Sequence, residues 1–154
     1  MNKMERVIKR TFDFTLALVS LVVFSPLIAL IAFMIKREEP EGDIIYSQER
    51  IGYKGKPFML YKFRSMRMDA ERDNSPQLFT DGDSRLTRVG AFIRAHHLDE
   101  FPQLWNVIKG EMSFVGPRPE RQFFIDQIME HNPDYVRLHT VRPGLFSYAT
   151  LYNG

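Results

Sequence analysis

The sequence predicts an α+β chain, in which an N-terminal apolar helix precedes a small, mostly helical domain carrying a β-hairpin. Three observations predict it. Leu16 to Ile35 is a run of 20 residues without a charge, in which Ser20 and Ser25 are the only hydrogen-bonding side chains. Two β-rich runs, Ile44–Gln48 and Phe58–Phe63, flank a loop containing Gly52, Gly55 and Pro57. Three later segments, between Ser84 and Asn132-Pro133, place apolar residues at helical steps.

The 154 residues suit one compact domain large enough to bury a core. With 21 Lys and Arg against 19 Asp and Glu the formal charge is only +2, so the sequence pI near 8.9 does not argue for nucleic acid. The absence of cysteine excludes disulfides, thiolate metal sites and a Cys nucleophile.

The Leu16–Ile35 run spans roughly 30 Å as a helix, the thickness of a bilayer's hydrocarbon core, and is too long for the apolar region of a signal peptide. It reads as a membrane segment. Lys3, Arg6, Lys9 and Arg10 precede it and Lys36 and Arg37 follow it, so flanking charge sets no orientation. Pro26 removes a backbone donor and crowds the carbonyl of Val22, predicting a bend at Ser25-Pro26. Two readings stay open: a kinked spanning helix, or a helix that bends and returns to the same face. Val7, Ile8 and Phe12, set among basic residues, suit an anionic lipid surface.

At Glu38 the composition turns polar, which predicts a boundary between residues 1–37 and 38–154. The hairpin follows, with Lys62 and Arg64 at its far end, either solvated or facing an anion. Asp69–Gly82, with Pro76 and Asp81-Gly82, reads as a surface excursion. Ser84 is the expected cap of a helix carrying Leu86, Val89, Phe92 and Ile93, with Arg85, Arg88 and Arg94 on its other faces. Pro102 suits the first turn of a second helix with Leu104, Trp105, Val107 and Ile108 on its apolar face, ended by Gly110. Asp99 and Glu100 therefore precede a helix N-terminus, where the backbone dipole favours negative charge. The pair reads either as a solvated cap or as carboxylates that gather phosphate or a metal.

Met112–Val115 is β-like and runs into Gly116-Pro117-Arg118-Pro119, where Arg118 sits on a stiff backbone. Such an Arg is preorganised for phosphate, or is simply an exposed turn residue. Phe123, Phe124, Ile128 and Met129 mark a third helix, and Val141-Arg142-Pro143-Gly144 again holds an Arg beside Pro. His96 and His97 lack a chelating spacing, and one packed and one exposed histidine is expected. Walker A, GxGxxG, HExxH and GxSxG patterns are absent.

Adjacent carboxylates and restrained arginines behind a membrane segment point to phosphoryl transfer. An ionised carboxylate attacks phosphorus without a general base, while Mg²⁺ and Arg neutralise the phosphate oxygens.

The chain resembles the monotopic phosphoglycosyl transferases that initiate bacterial surface-glycan assembly. The resemblance runs over nearly the whole chain. It rests on Ser25-Pro26, Tyr61-Lys62-Phe63-Arg64-Ser65-Met66, Leu98-Asp99-Glu100 with Pro102-Gln103-Leu104, Gly110 to Pro119, and Val141-Arg142-Pro143-Gly144. It implies a re-entrant helix bent at Ser25-Pro26 on the cytoplasmic face of the bacterial inner membrane, and a ping-pong reaction. Asp99 would attack the β-phosphate of a UDP-sugar and release UMP; polyprenol phosphate would then take the sugar phosphate. Mg²⁺ would be held near Asp99, Glu100 would assist the lipid-phosphate step, and Lys62, Arg94, Arg118 and, more weakly, Arg142 would hold phosphates. The chain departs from the family at His97, where a small polar residue is usual, at Phe101, where Leu is usual, and over Leu145–Thr150. Family members usually continue past the equivalent of Gly154, so a C-terminally truncated or naturally short member is expected. The alternative is a non-catalytic, membrane-anchored domain that binds anionic lipid or serves as a scaffold.

Overall fold

A computed structural model of the protein describes residues 2–68, 70 and 83–147. It is mostly helical, with a small β-hairpin, as expected. The chain divides into two compact units: one comprises Met1–Val23, Ser47–Tyr61 and Gln103–Gly154, the other Phe24–Tyr46 and Lys62–Pro102. The predicted excursion over Asp69–Gly82 lies, save for Ala70, outside the described residues, as do Tyr148–Gly154.

Helix α1 spans Lys3–Val23 and α2 spans Ser25–Glu38. The break falls at Phe24 and the bend there is 62°. This is one residue before the expected dipeptide. Pro26 lies in the first turn of α2, where its missing N–H costs nothing, and Ile28 N–H closes the first bond to Phe24 O at 2.9 Å. Among the described residues no single helix is long and apolar enough to cross a membrane; the bent pair meets that test only together, by length and composition.

In the first unit α1 buries a narrow stripe, Asp13 and Ala17, and packs on helix α4 (Gln103–Lys109) and strand β3 (Ser113–Val115). Two of its basic residues are engaged within the unit. Lys9 pairs with Asp13 at 3.0 Å and bonds to the Ser113 hydroxyl, and Arg10 donates to Val107 O at 2.5 Å and Ile108 O at 2.6 Å, two carbonyls at the end of α4. Val7, Ile8 and Phe12 are exposed.

The hairpin pairs β1 (Ile45–Ile51) with β2 (Pro57–Phe63) through a 3₁₀ turn at Tyr53–Gly55. Fully buried Asn106 of α4 serves the β2 edge as a strand would: its Oδ1 accepts from Tyr61 N–H at 3.1 Å and its Nδ2 donates to Met59 O at 2.7 Å and to Glu111 Oε2 at 2.8 Å. Trp105, expected on the apolar face of α4, is 53% exposed, and Leu104 and Val107 carry that face.

β3 pairs in parallel with β4 (Gly144–Phe146), an arrangement that local pattern cannot show. The pairing brings the two Arg-Pro segments together, with Gly144 N–H bonded to Pro117 O at 2.9 Å and Ser113 N–H to Pro143 O at 2.8 Å. A Cβ on Gly144 would lie 2.1 Å from Gly116 N, so only glycine permits this approach. Helix α5 (Gln122–His131) buries Ile125 and ends before the 3₁₀ turn Pro133–Thr140.

The second unit is built on α2. Ile31 and Ile35 pack with Phe63 and Ile93 of helix α3 (Arg88–Ala95), bordered by Leu27, Ile28, Val89 and Leu98. Ser84 does not cap α3. Thr87 does, its hydroxyl accepting from Gly90 N–H at 2.8 Å, because Leu86 is bridged to Met66 and Thr87 N–H to Ser65 O, which keeps Leu86 and Thr87 out of the helix.

Asn106→Ala leaves a backbone donor and acceptor of β2 without these partners. A loss of about 2–4 kcal/mol is expected, measured by denaturant unfolding.

Candidate active site

The predicted residues Lys62, Arg94, Asp99 and Glu100 all belong to the second unit. Lys62 lies near the end of β2, and Arg94 in the last turn of α3. After Ala95 the chain turns sharply at His97, a non-glycine residue with φ 55° and ψ 19°, into a 3₁₀ turn over Leu98–Glu100. His97 N–H bonds back to Arg94 O at 3.1 Å and Glu100 N–H to His97 O at 3.3 Å, so the turn follows directly from α3. Holding a histidine in the left-handed region costs about 1 kcal/mol or more, a strain typical of functional turns. Both His96 and His97 are exposed, not one packed and one exposed.

Within this turn Asp99 is only 5% exposed. Lys62 Nζ donates to Glu100 Oε1 at 2.7 Å and lies 3.8 Å from Asp99 Oδ2, so its first partner is Glu100 and its charge serves both. The electrostatics differ from the helix-cap expectation. Burial pushes the Asp99 carboxyl above its ordinary range and the neighbouring Glu100 adds to this, while Lys62 and Arg94 pull the other way. Asp99 is thus a poorly solvated carboxylate beside two cations, chemistry that suits nucleophilic attack on an anionic centre that the cations draw in.

Two neighbours were missed. Asp83 forms a fork with Arg85, with Nε to Oδ1 at 2.8 Å and Nη2 to Oδ2 at 2.5 Å, and this holds its carboxyl down to about 2. Arg94 acts electrostatically on both Asp83 and Asp99. The only available signal was the Asp83-Ser84-Arg85 spacing, common on any surface. Glu38, expected to begin the polar segment after the apolar run, is the last residue of α2 and accepts from Arg88 N–H at 2.8 Å and Val89 N–H at 2.9 Å.

Arg118 and Arg142 belong to the first unit. Arg142 Nε donates to Gly110 O at 2.7 Å and its guanidinium lies 5.5 Å from the Tyr53 ring centre. Arg118 pairs with Glu120 at 3.6 Å, and Arg50 shares that carboxylate at 3.2 Å. Arg118 also lines a shallow cleft of about 210 Å³, part of it open solvent, with Gly52, Tyr135, His139 and Pro143. Among the described residues no three carboxylate, His or Cys side chains gather into a metal cluster. As donors, the two carboxylates of the Leu98–Glu100 turn are nevertheless of the kind Mg²⁺ takes, since it binds through one or two carboxylates and fills its shell with water and substrate phosphate.

Residues 4–154 match the family model described as bacterial sugar transferase. The chain is 44% identical over 147 residues to a UDP-N-acetylgalactosamine-undecaprenyl-phosphate N-acetylgalactosaminephosphotransferase of Aeromonas hydrophila, covering 96% of this chain and 34% of that protein. It is 38% identical over 151 residues to the UDP-glucose:undecaprenyl-phosphate glucose-1-phosphate transferase of Escherichia coli, covering 98% of this chain and 32% of that one. A protein of the same description from Caulobacter vibrioides is 40% identical over 143 residues, covering 92% and 52%. The chain therefore spans about a third to a half of the length of these relatives. With the family model matched over nearly its full length, this chain belongs to the bacterial sugar transferase family.

Proposed function

We propose that the chain transfers a sugar 1-phosphate from a UDP-sugar to polyprenol phosphate, with Asp99 as nucleophile. The observation that carries this reading is the buried Asp99 carboxylate 3.8 Å from the Lys62 ammonium, with Arg94 acting on it electrostatically. Asp99 attacks the β-phosphorus, the bond to the bridging oxygen breaks, and UMP leaves with that electron pair. A glycosyl-phosphoryl-aspartate remains. A phosphate oxygen of the polyprenol phosphate then attacks the same phosphorus, giving the polyprenyl diphosphosugar and returning the Asp99 carboxylate. Glu100 assists this second step, while Lys62 and Arg94 hold the phosphate oxygens against the incoming carboxylate. Arg118 is a further phosphate contact; Arg142, committed through Nε to Gly110, is a weaker one. Asp99 would hold Mg²⁺, which would supply charge neutralisation of the diphosphate.

The functional division is residues 1–37, associated with the membrane, and 38–154, catalytic. A position on the cytoplasmic face of the bacterial inner membrane puts the chain where a soluble nucleotide sugar meets a lipid that cannot leave the bilayer. Support comes from the breadth of apolar surface on the bent helices, where Val22, Val23, Leu30 and Phe33 are each more than half exposed. A re-entrant path is the topology proposed for them.

Asp99→Asn is expected to lose UMP release and any covalent phosphosugar adduct, scored by UMP assay and intact mass. Because the Asp99 carboxyl is raised in the fold, its ionisation costs stability above the ordinary carboxylate range. The variant is therefore expected to melt no lower than the wild type at neutral pH, with any gain vanishing in acid. A fully active variant would overturn the nucleophile assignment, whereas a wild-type chain that forms no UMP would leave the non-catalytic scaffold standing.

In the metal-free chain the Asp99 carboxyl should titrate above the ordinary carboxylate range, read by carboxyl-carbon NMR. Lys62→Met removes a cation that lowers this pKa and should move the titration to higher pH. Glu100→Gln removes an anion that raises it and should move the titration to lower pH. Shifts in the same direction would contradict the assigned electrostatics.

Single cysteines replacing Lys3 and Glu41 should both be labelled from the cytoplasmic side of oriented vesicles. Labelling from opposite sides would establish a spanning segment.

A further inference from the structure

The end of α2 and the start of α3 are joined by one side chain. The first N–H groups of a helix have no partner within it. In α3 the Thr87 hydroxyl serves Gly90 N–H, leaving those of Arg88 and Val89. Both are taken by Glu38, from the last turn of α2 and 50 residues earlier in the chain, one carboxylate oxygen to each at 2.8 and 2.9 Å. A carboxylate is the best acceptor for this pair because it matches the positive end of the helix dipole and offers two oxygens.

The joint bears directly on the site. α3 carries Ile93 into the core formed with Ile31 and Ile35 of α2, then Arg94, then the strained His97 turn that presents Asp99. Gly90 lies so close to the 64–66 segment that an added Cβ would fall 1.9 Å from Ser65 O, so α3 cannot slide without moving the chain that follows Lys62. Apolar contacts between Ile31, Ile35 and Ile93 are non-directional and tolerate small shifts along the helix. Two directed hydrogen bonds at its first residues do not.

We propose that Glu38 is a positioning residue, a clamp that sets the register of α3 on α2 and thereby places Arg94 and Asp99 for reaction. The proposal rests on the transferase reading given above. Glu38 touches no reacting atom. Its loss acts through geometry: it lowers the rate of the chemical step and leaves nucleotide-sugar binding in place, since a displacement of an ångström or less at a reacting group costs rate steeply.

The test compares the wild-type chain with Glu38→Ala and Glu38→Gln in lipid nanodiscs, measuring UMP formation from a UDP-sugar and amide hydrogen exchange at Arg88 and Val89. Glu38→Ala is expected to lower kcat about tenfold or more with KM for the UDP-sugar within about twofold, and to speed exchange at both amides. Glu38→Gln keeps one carbonyl oxygen and should fall between the two, with one amide still protected. Wild-type kcat in Glu38→Ala overturns the proposal, as do unprotected Arg88 and Val89 amides in the wild type, or equal losses in both variants that track the fraction of folded protein. If the wild-type chain forms no UMP, the transferase reading fails and the proposal with it, a result distinct from an active wild type with an equally active Glu38→Ala.

Discussion

Ile31 and Ile35 of α2 pack against Phe63 and Ile93, and the candidate site hangs on that contact. Among the described residues these four are the buried hydrophobic side chains of their unit, and two of them come from the apolar N-terminal run. Burying each side chain contributes about 1.5–3 kcal/mol before entropy is counted. The second half of the apolar run is therefore structural to the unit that carries Asp99, and is more than a tether. One face of α2 packs inward while Leu30 and Phe33 remain exposed.

Asp99 is placed where folding does not favour it. Burial and Glu100 both oppose its charge, and Lys62 reaches Glu100 more closely than Asp99. His97, held with positive φ, adds backbone strain immediately before it. Sites of this kind survive because the surrounding packing over-determines them. The cost is offset by the Ile31–Ile93 core and by the satisfied N-terminus of α3, where Thr87 and Glu38 cover three amides. A carboxylate that is poorly solvated and flanked by cations is also less shielded as a nucleophile, so the features that cost stability serve the proposed chemistry.

The first unit shows a different economy. Its two Arg-Pro segments, 24 residues apart in sequence, flank a parallel strand pair whose closest approach only Gly116 and Gly144 allow. Asn106 stands in for a strand at the edge of β2, and Arg10 closes the carbonyl end of α4. Polar side chains are here used to finish backbone ladders too short to finish themselves.

The site was legible where chemistry is carried by neighbours in sequence. Asp99 and Glu100 are adjacent, Lys62 marks the end of a β-rich run, and Pro26 announces a helix break wherever it occurs. It was illegible where partners are distant. Nothing in Glu38 or Asn106 distinguishes them from solvated residues, because a hydrogen bond across 50 residues leaves no local periodicity. Ser84 was a reasonable cap, but the Met66–Leu86 bridge delays the helix to Thr87. By itself the sequence determined the mixed class, the apolar run with its break, the hairpin and the residues able to do phosphoryl chemistry, since these follow from composition, propensity and adjacency. Only the tertiary structure decided that Asp99 is buried and raised instead of capped and lowered, that Lys62 is shared with Glu100, and that Glu38 holds α3. Solvation and directed hydrogen bonds depend on what the rest of the chain brings to a residue.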